Sequence, residues 1–246
     1  MSPPDADPGR HGIRYAFDRS LAQLKKRLVQ EATAAFGMLE SALEVLWKLD
    51  AAEAREVRKR DDGIDEEEVK IEAECLRMLA LEQPMARDLR IITFILKVNA
   101  DIERVADHAS SVAKVAVRMD STQPPRWPTA LLEMGQRVPV MCHLLMRAVL
   151  DEDPTLARQV VEEDETIDRL EKRLFDEVDE LMRREPGNTR NGLLIYRAGR
   201  ELERIGDLMK NIAEDVIYLA TGSIVRHEQK RAKHAAEQGG GAGPVA

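Results

Sequence analysis

Four pairs of acids recur at a spacing of four residues: Asp61/Asp65, Glu103/Asp107, Asp164/Asp168 and Glu203/Asp207. On a helix, that spacing puts two side chains on one face, about 40° apart around the axis. Like charges so placed repel each other unless something neutralises them. A divalent or trivalent cation would do so, and oxygen-only ligands suit hard ions such as Mg²⁺, Mn²⁺ or Fe³⁺. Two helix stripes also carry acids at core-facing steps: the second helix steps through Val57, Asp61, Ile64, Glu68 and Ile71, and the fifth through Val160, Asp164, Ile167, Glu171 and Leu174. A buried carboxylate without a partner is costly, so these steps call for a cation or a dense hydrogen-bond network.

A simpler alternative stands beside this. The chain has 45 acids, so pairs at this spacing also arise by chance and can be merely solvated. Glu103 and Asp107 lie off the apolar stripe of their helix, and Arg104 and Arg204 could neutralise neighbouring carboxylates without a metal. What favours a site is the recurrence of the same pattern in both halves of the chain.

The elements that carry the acids follow from periodicity. Leu21, Leu24, Leu28, Ala35, Met38, Ala42, Val45 and Leu49 form the stripe of a first helix, interrupted by Glu31. A second helix is expected over residues 51–82 and a third over 85–119, separated by Gln83-Pro84. The proline-rich stretch 120–128 then breaks the pattern. A fourth helix follows, with Pro139 expected to bend it. Asp153-Pro154 opens a fifth, and Glu185-Pro186-Gly187-Asn188 separates that from a sixth.

The halves share register as well as helix count. Val57, Ile64, Ile71, Cys75 and Met78 match Val160, Ile167, Leu174, Val178 and Leu181 at a constant offset of 103. The third and sixth helices match at an offset of 100, from Ile95/Ile195 to Ala116/Val216. The expected fold is therefore all-α: six long helices in two repeated antiparallel three-helix bundles, spectrin-repeat-like, spanning 15–119 and 129–222 around a linker at 120–128. Residues 1–14 and 223–246 are expected to be a disordered extension and tail.

Composition bounds the function. A net charge of −8 disfavours nucleic-acid binding, which needs a basic face. No apolar run is long enough to span a bilayer and no secretory signal is evident, so a soluble, cytoplasmic protein is expected. Cys75 and Cys142 have no CxxC spacing. P-loop, GxGxxG, GxSxG and Glu-x-x-His motifs are lacking, so catalysis has no constellation to stand on. His108 beside Asp107 is a weaker candidate ligand.

The stretches PMARDLRIITFILKVNADIERVADHASSVAK and GRELERIGDLMKNIAEDVIYLATG resemble the two half-signatures of PhoU proteins. DDGIDEEEVKIEAECL and DETIDRLEKRLFDEV are similar to the acidic second and fifth helices of that family. The resemblance covers roughly residues 15–222. It implies a homodimeric regulator without catalytic activity that restrains phosphate uptake and phosphate-starvation signalling. Its implied partners are the ATPase subunit of the phosphate ABC transporter and a sensor histidine kinase, and it would reach the membrane only through them. It implies as metal ligands Asp61, Asp65, Glu103 and Asp107 in one half and Asp164, Asp168, Glu203 and Asp207 in the other, holding Fe, Mn, Mg or Zn. One departure is ERVAD in the first half against ERIGD in the second, where Ala106 replaces a glycine. An adaptor for another phosphate transporter, a metal-free structural adaptor and a carboxylate-metal oxidase or hydrolase stay open as alternatives.

Overall fold

The computed structural model describes residues 8–120, 122 and 124–222. Its helices are α1 (Pro8–Lys48), α2 (Ala51–Lys59), α3 (Asp61–Glu82), α4 (Arg87–Arg118), α5 (Thr129–Asp151), α6 (Pro154–Arg184) and α7 (Thr189–Thr221), with a short 3₁₀ turn at Pro186–Asn188. No strand occurs among the described residues. The first antiparallel bundle comprises α1, α2 with α3, and α4; the second comprises α5, α6 and α7. Residues 8–14 belong to α1 rather than to a disordered extension, because the helix already begins at Pro8. Residues 1–7 and the tail expected over 223–246 lie outside the described residues.

Both bundles turn their first corner by the same device. Leu49 and Glu152 adopt positive φ (53° and 48°), ending α1 and α5. The next residue, Asp50 or Asp153, then caps the following helix. Asp50 Oδ1 accepts from the backbone N–H groups of Ala52 and Glu53, both at 3.0 Å. Asp153 Oδ1 accepts from Thr155 at 2.7 Å and Leu156 at 3.3 Å. Each aspartate satisfies donors that the first helical turn leaves unpaired.

The bundles differ at the expected second helix, which is not continuous over 51–82. It breaks at Arg60, where hydrogen bonds tighten to Arg60 N–H→Val57 O (3.1 Å) and Gly63 N–H→Arg60 O (3.2 Å). The sequence Asp61-Asp62-Gly63 has poor helix propensity, whereas the matching Asp164-Glu165-Thr166 lies inside an unbroken α6. Asp61 therefore starts a new helix, where its charge meets the positive end of the dipole. The helix α5 runs through Pro139 without interruption.

The helices α4 and α7 lie antiparallel against each other and join the two apolar cores into one. Lys97 Nζ meets both oxygens of Asp215, at 2.7 and 2.8 Å. Farther along, His108 Nδ1 lies 2.9 Å from Glu201 Oε2. His108 is thus occupied at the bundle interface. Within the second bundle, Gly199 lets α7 close on α6: a Cβ there would lie 2.0 Å from Leu174 Cδ2. Trp47 and Trp127 add an edge-on ring contact, with centroids 5.1 Å apart.

Candidate metal centre

In the second bundle, the stripe of α6 that packs against α7 carries Asp164 into the interior, where it is 1% exposed. Asp168, one turn on, is half-buried, and Asp207 reaches across from α7 at the exposed rim. One oxygen from each of these three carboxylates lies within 4.8 Å of the others, the only such trio of candidate ligands among the described residues. Asp164 Oδ2 accepts a hydrogen bond from Lys210 Nζ at 2.5 Å. Its Oδ1 is buried and has no hydrogen-bond partner within the protein. Gly206 packs over this carboxylate, where a Cβ would sit in ordinary contact, 3.5 Å from that same Oδ1.

The electrostatics show a site short of positive charge. Burial raises the Asp164 carboxyl above the usual carboxylate range, and Asp168 and Asp207 push it the same way, against the pull of Lys210. Burial opposes the Lys210 charge, but its bond to Asp164 and the nearby charges of Asp164, Asp168 and Asp207 outweigh that and hold its pKa above the usual value. Burial first, and the neighbouring carboxylates second, thus favour the protonated form of Asp164. An all-oxygen set with an unpartnered interior oxygen fits a hard cation by donor chemistry.

Glu203 does not join the trio. It is half-buried and lies 3.3 Å from Arg200 Nη1, which also sits 3.5 Å from Glu171. Burial raises the Glu203 carboxyl, with Arg200 opposing. Glu171 is held in turn by the Tyr196 hydroxyl, which donates to it at 2.7 Å. Arg104 and Arg204 approach Asp101 (3.5 Å) and Glu201 (3.7 Å), so neither is paired with the acids they were candidates to neutralise.

In the first bundle, Asp61 is half-buried on α3 with Oδ1 unpartnered, and the nearby Ser110 hydroxyl favours its charged form. Burial raises Asp61, helped by Asp107 and Asp65; burial also raises Glu103, helped by Asp107, Asp65, Glu68 and Asp61. These four acids face one another without converging as tightly as the second trio. Asp65 and Asp107 are exposed.

Two residues that sequence reasoning did not place in a site belong to these surroundings. Lys210 lies three residues beyond Asp207 and aligns with Ser110 at the offset of 100, a signal that register comparison contains. Glu31 interrupts the α1 stripe and aligns with Met134 at the offset of 103. It is 3% exposed, and both its oxygens lack hydrogen-bond partners. Burial pushes its carboxyl up to about 8, with Glu68, Glu67 and Glu103 adding to the shift and Arg27 opposing it. Nearby, Asn99 is fully buried and donates from Nδ2 to the Glu68 carbonyl at 3.0 Å.

The duplicated arrangement has known counterparts. The family profile of the PhoU domain matches residues 28–116 and again residues 131–216. The chain belongs to the PhoU family. A PhoU homolog from Deinococcus radiodurans, named a phosphate-specific transport system accessory protein, is 39% identical over 186 residues, covering 76% of this chain and 87% of its own. The Pseudomonas aeruginosa protein of the same name is 36% identical over 218 residues, or 88% of this chain and 90% of that one. The crystal structure of PhoU from Pseudomonas aeruginosa superposes with a TM-score of 0.81 at 36% identity, covering 84% of this chain and all (100%) of that one. A phosphate transport system regulatory PhoU from Streptococcus pneumoniae gives a TM-score of 0.78 at 29% identity, covering 85% and 99%. Both PhoU matches span the α3/α4 and α6/α7 faces that carry the acid pairs. Among the described residues, no helix is long and apolar enough to cross a membrane.

Proposed function

We propose that this PhoU-family chain is a cytoplasmic negative regulator of phosphate uptake and of phosphate-starvation signalling. It acts by binding, through helical surfaces, the ATPase subunit of a phosphate ABC transporter and a sensor histidine kinase, and it does so as a homodimer. The observation that carries this reading is the family match over both bundles, together with relatives named as accessory proteins of phosphate transport. The chain presents no nucleophile–base pair or cofactor loop in its sequence, which favours a binding role over an enzymatic one.

The acid clusters are its proposed cation sites. Asp164, Asp168 and Asp207, with Glu203 alongside, serve the second bundle; Asp61, Asp65, Glu103 and Asp107 serve the first. A hard cation there would neutralise carboxylates on facing helices and tie them together. In the second bundle, the buried Asp164 Oδ1 is the interior donor, and Asp168 and Asp207 close the site from the rim. The bundle surface so stiffened is the one offered to partners.

The test is a phosphate-starvation reporter read in phosphate-rich medium, in the native host with the gene deleted and then restored. The expected result is a reporter that switches on without the gene and off with it. A reporter silent in both strains overturns the regulator reading and turns attention to a different phosphate transporter as partner.

A further inference from the structure

The acid pairs of the two bundles match position for position, but the cations around them do not. In the second bundle, Lys210 donates to Asp164 at 2.5 Å, and its charge also faces Asp168 and Asp207, the other members of the trio. Arg200 lies 3.3 Å from Glu203. At the matching positions, the first bundle has Ser110 and Ala100, neither of which carries charge. Its nearest arginine on α1, Arg27, is already committed to Glu67 at 2.6 Å. Beneath its acid pairs the first bundle adds a further carboxyl, Glu31, where the second has Met134.

We propose that Lys210 is a resident counter-cation of the second cluster, so that the two bundles take up metal unequally and the first binds a divalent cation more tightly. The inference rests on the metal reading above and adds to it a determinant of affinity and an order of filling. An ammonium held by Asp164 already offsets part of the negative charge that would attract a metal. It also repels any dication placed between Asp164, Asp168 and Asp207, at a separation where the local dielectric is well below that of water. In the first bundle, the matching Ser110 favours the charged form of Asp61 through its hydroxyl and brings no charge of its own. The first bundle is thereby where a cation changes the charge balance most.

The experiment uses the full chain, freed of metal with chelator and titrated with manganese(II) chloride by calorimetry. Asp164→Asn with Asp168→Asn isolates the first site, and Asp61→Asn with Asp65→Asn isolates the second. The expected result is binding at the first site that is tighter by about tenfold or more. Adding Lys210→Ser to the variant that retains the second site should close most of that gap. Adding Ser110→Lys to the variant that retains the first should weaken it by a similar factor. Lys210→Arg keeps the charge and should keep the weak affinity, which separates charge from lost packing; circular dichroism verifies that each variant is folded. Equal affinities at the two isolated sites overturn the proposal. So does a Lys210→Ser variant whose second site is unchanged or weaker, since the lysine would then be organising the site rather than competing for it. If neither isolated site takes up manganese above the variant lacking all four aspartates, the metal reading itself fails and the proposal falls with it.

Discussion

In the second bundle, a lysine stands beside the buried aspartate and a methionine lies beneath the site; in the first, a serine stands beside the aspartate and a glutamate lies beneath. The corners that lead into these helices are duplicates, with aspartate caps after α1 and α5, but the helix that carries Asp61 breaks at Arg60 where α6 is continuous. Charge balance and the convergence of the acids both differ between the bundles. The second bundle offsets part of its surplus of acids internally, with Lys210 and Arg200. Buried oxygens lack a hydrogen-bond partner in both bundles: on Glu31, Asn99 and Asp61 in the first and on Asp164 and Glu203 in the second. A duplicated helix bundle can thus keep the same acid spacing along the chain with different counter-charges around it.

The largest expected effect that tests this contrast comes from Glu31→Met, which writes the second bundle's residue into the first. The folded-state pKa of Glu31, about 8, lies above its ordinary value of 4.5, so the folded protein binds more protons between those limits. Its contribution to stability is therefore fully present below about pH 4.5 and is lost as pH rises towards 8. The loss amounts to at most about 1.4 kcal/mol per pH unit. Urea unfolding in chelator across pH 5–9 should show Glu31→Met gaining on the wild type as pH rises, by a few kcal/mol at the upper end. A difference that stays flat with pH would mean that Glu31 is not the buried acid of the first bundle. The groups that face it are Glu67, Glu68 and Glu103, with Arg27 on its own helix.

Next in size is Gly199→Ala. The added methyl meets Leu174 Cδ2 at 2.0 Å, forcing a fully buried side chain to move at a cost of about 1–3 kcal/mol, offset in part by about 1 kcal/mol of helix propensity. The first bundle carries Asn99 at this position and accommodates it, so Asn99→Ala opens space there instead of closing it. Thermal unfolding that leaves Gly199→Ala unchanged would refute the close approach of α6 and α7.

The caps give a smaller, symmetric effect. Asp50→Ala and Asp153→Ala should each cost about 1 kcal/mol in chemical denaturation, because each removes a side-chain acceptor from two helix N–H groups. Unequal losses would show that the two corners are less alike than their backbones. The smallest effect belongs to Gly206→Ala, which copies Ala106 of the first bundle. Its Cβ would meet Ile167 and Asp164 Oδ1 only at 3.4–3.5 Å, and helix propensity favours alanine by about 1 kcal/mol. The stability midpoint should stay level or rise slightly; a large loss would place the packing of α7 on Asp164 closer than described.

The fold was largely legible because amphipathic stripes of three and four steps announce helices, and two constant offsets announce a repeat. Legibility ended where local propensity and tertiary context compete. The Asp61-Asp62-Gly63 run was readable as a weak point, yet the apolar stripe passes through it, and only the backbone at Arg60 shows the break. The acid pairs were visible as spacings, but spacing along one helix does not say how far a carboxylate stands from the next helix. Arg104 and Arg204, adjacent to Glu103 and Glu203 in the chain, point instead to Asp101 and Glu201.

By itself, the sequence determined the helices, their duplication and the chemical character of the acid faces, since these depend on residue type and on periodicities set by local backbone geometry. Tertiary structure alone decided that Asp164, Asp168 and Asp207 converge, that Glu203 is drawn to Arg200, and that the ammonium nearest the second cluster is Lys210. Interactions between charges depend on distance and on the dielectric between them, and both are properties of packed helices rather than of a chain.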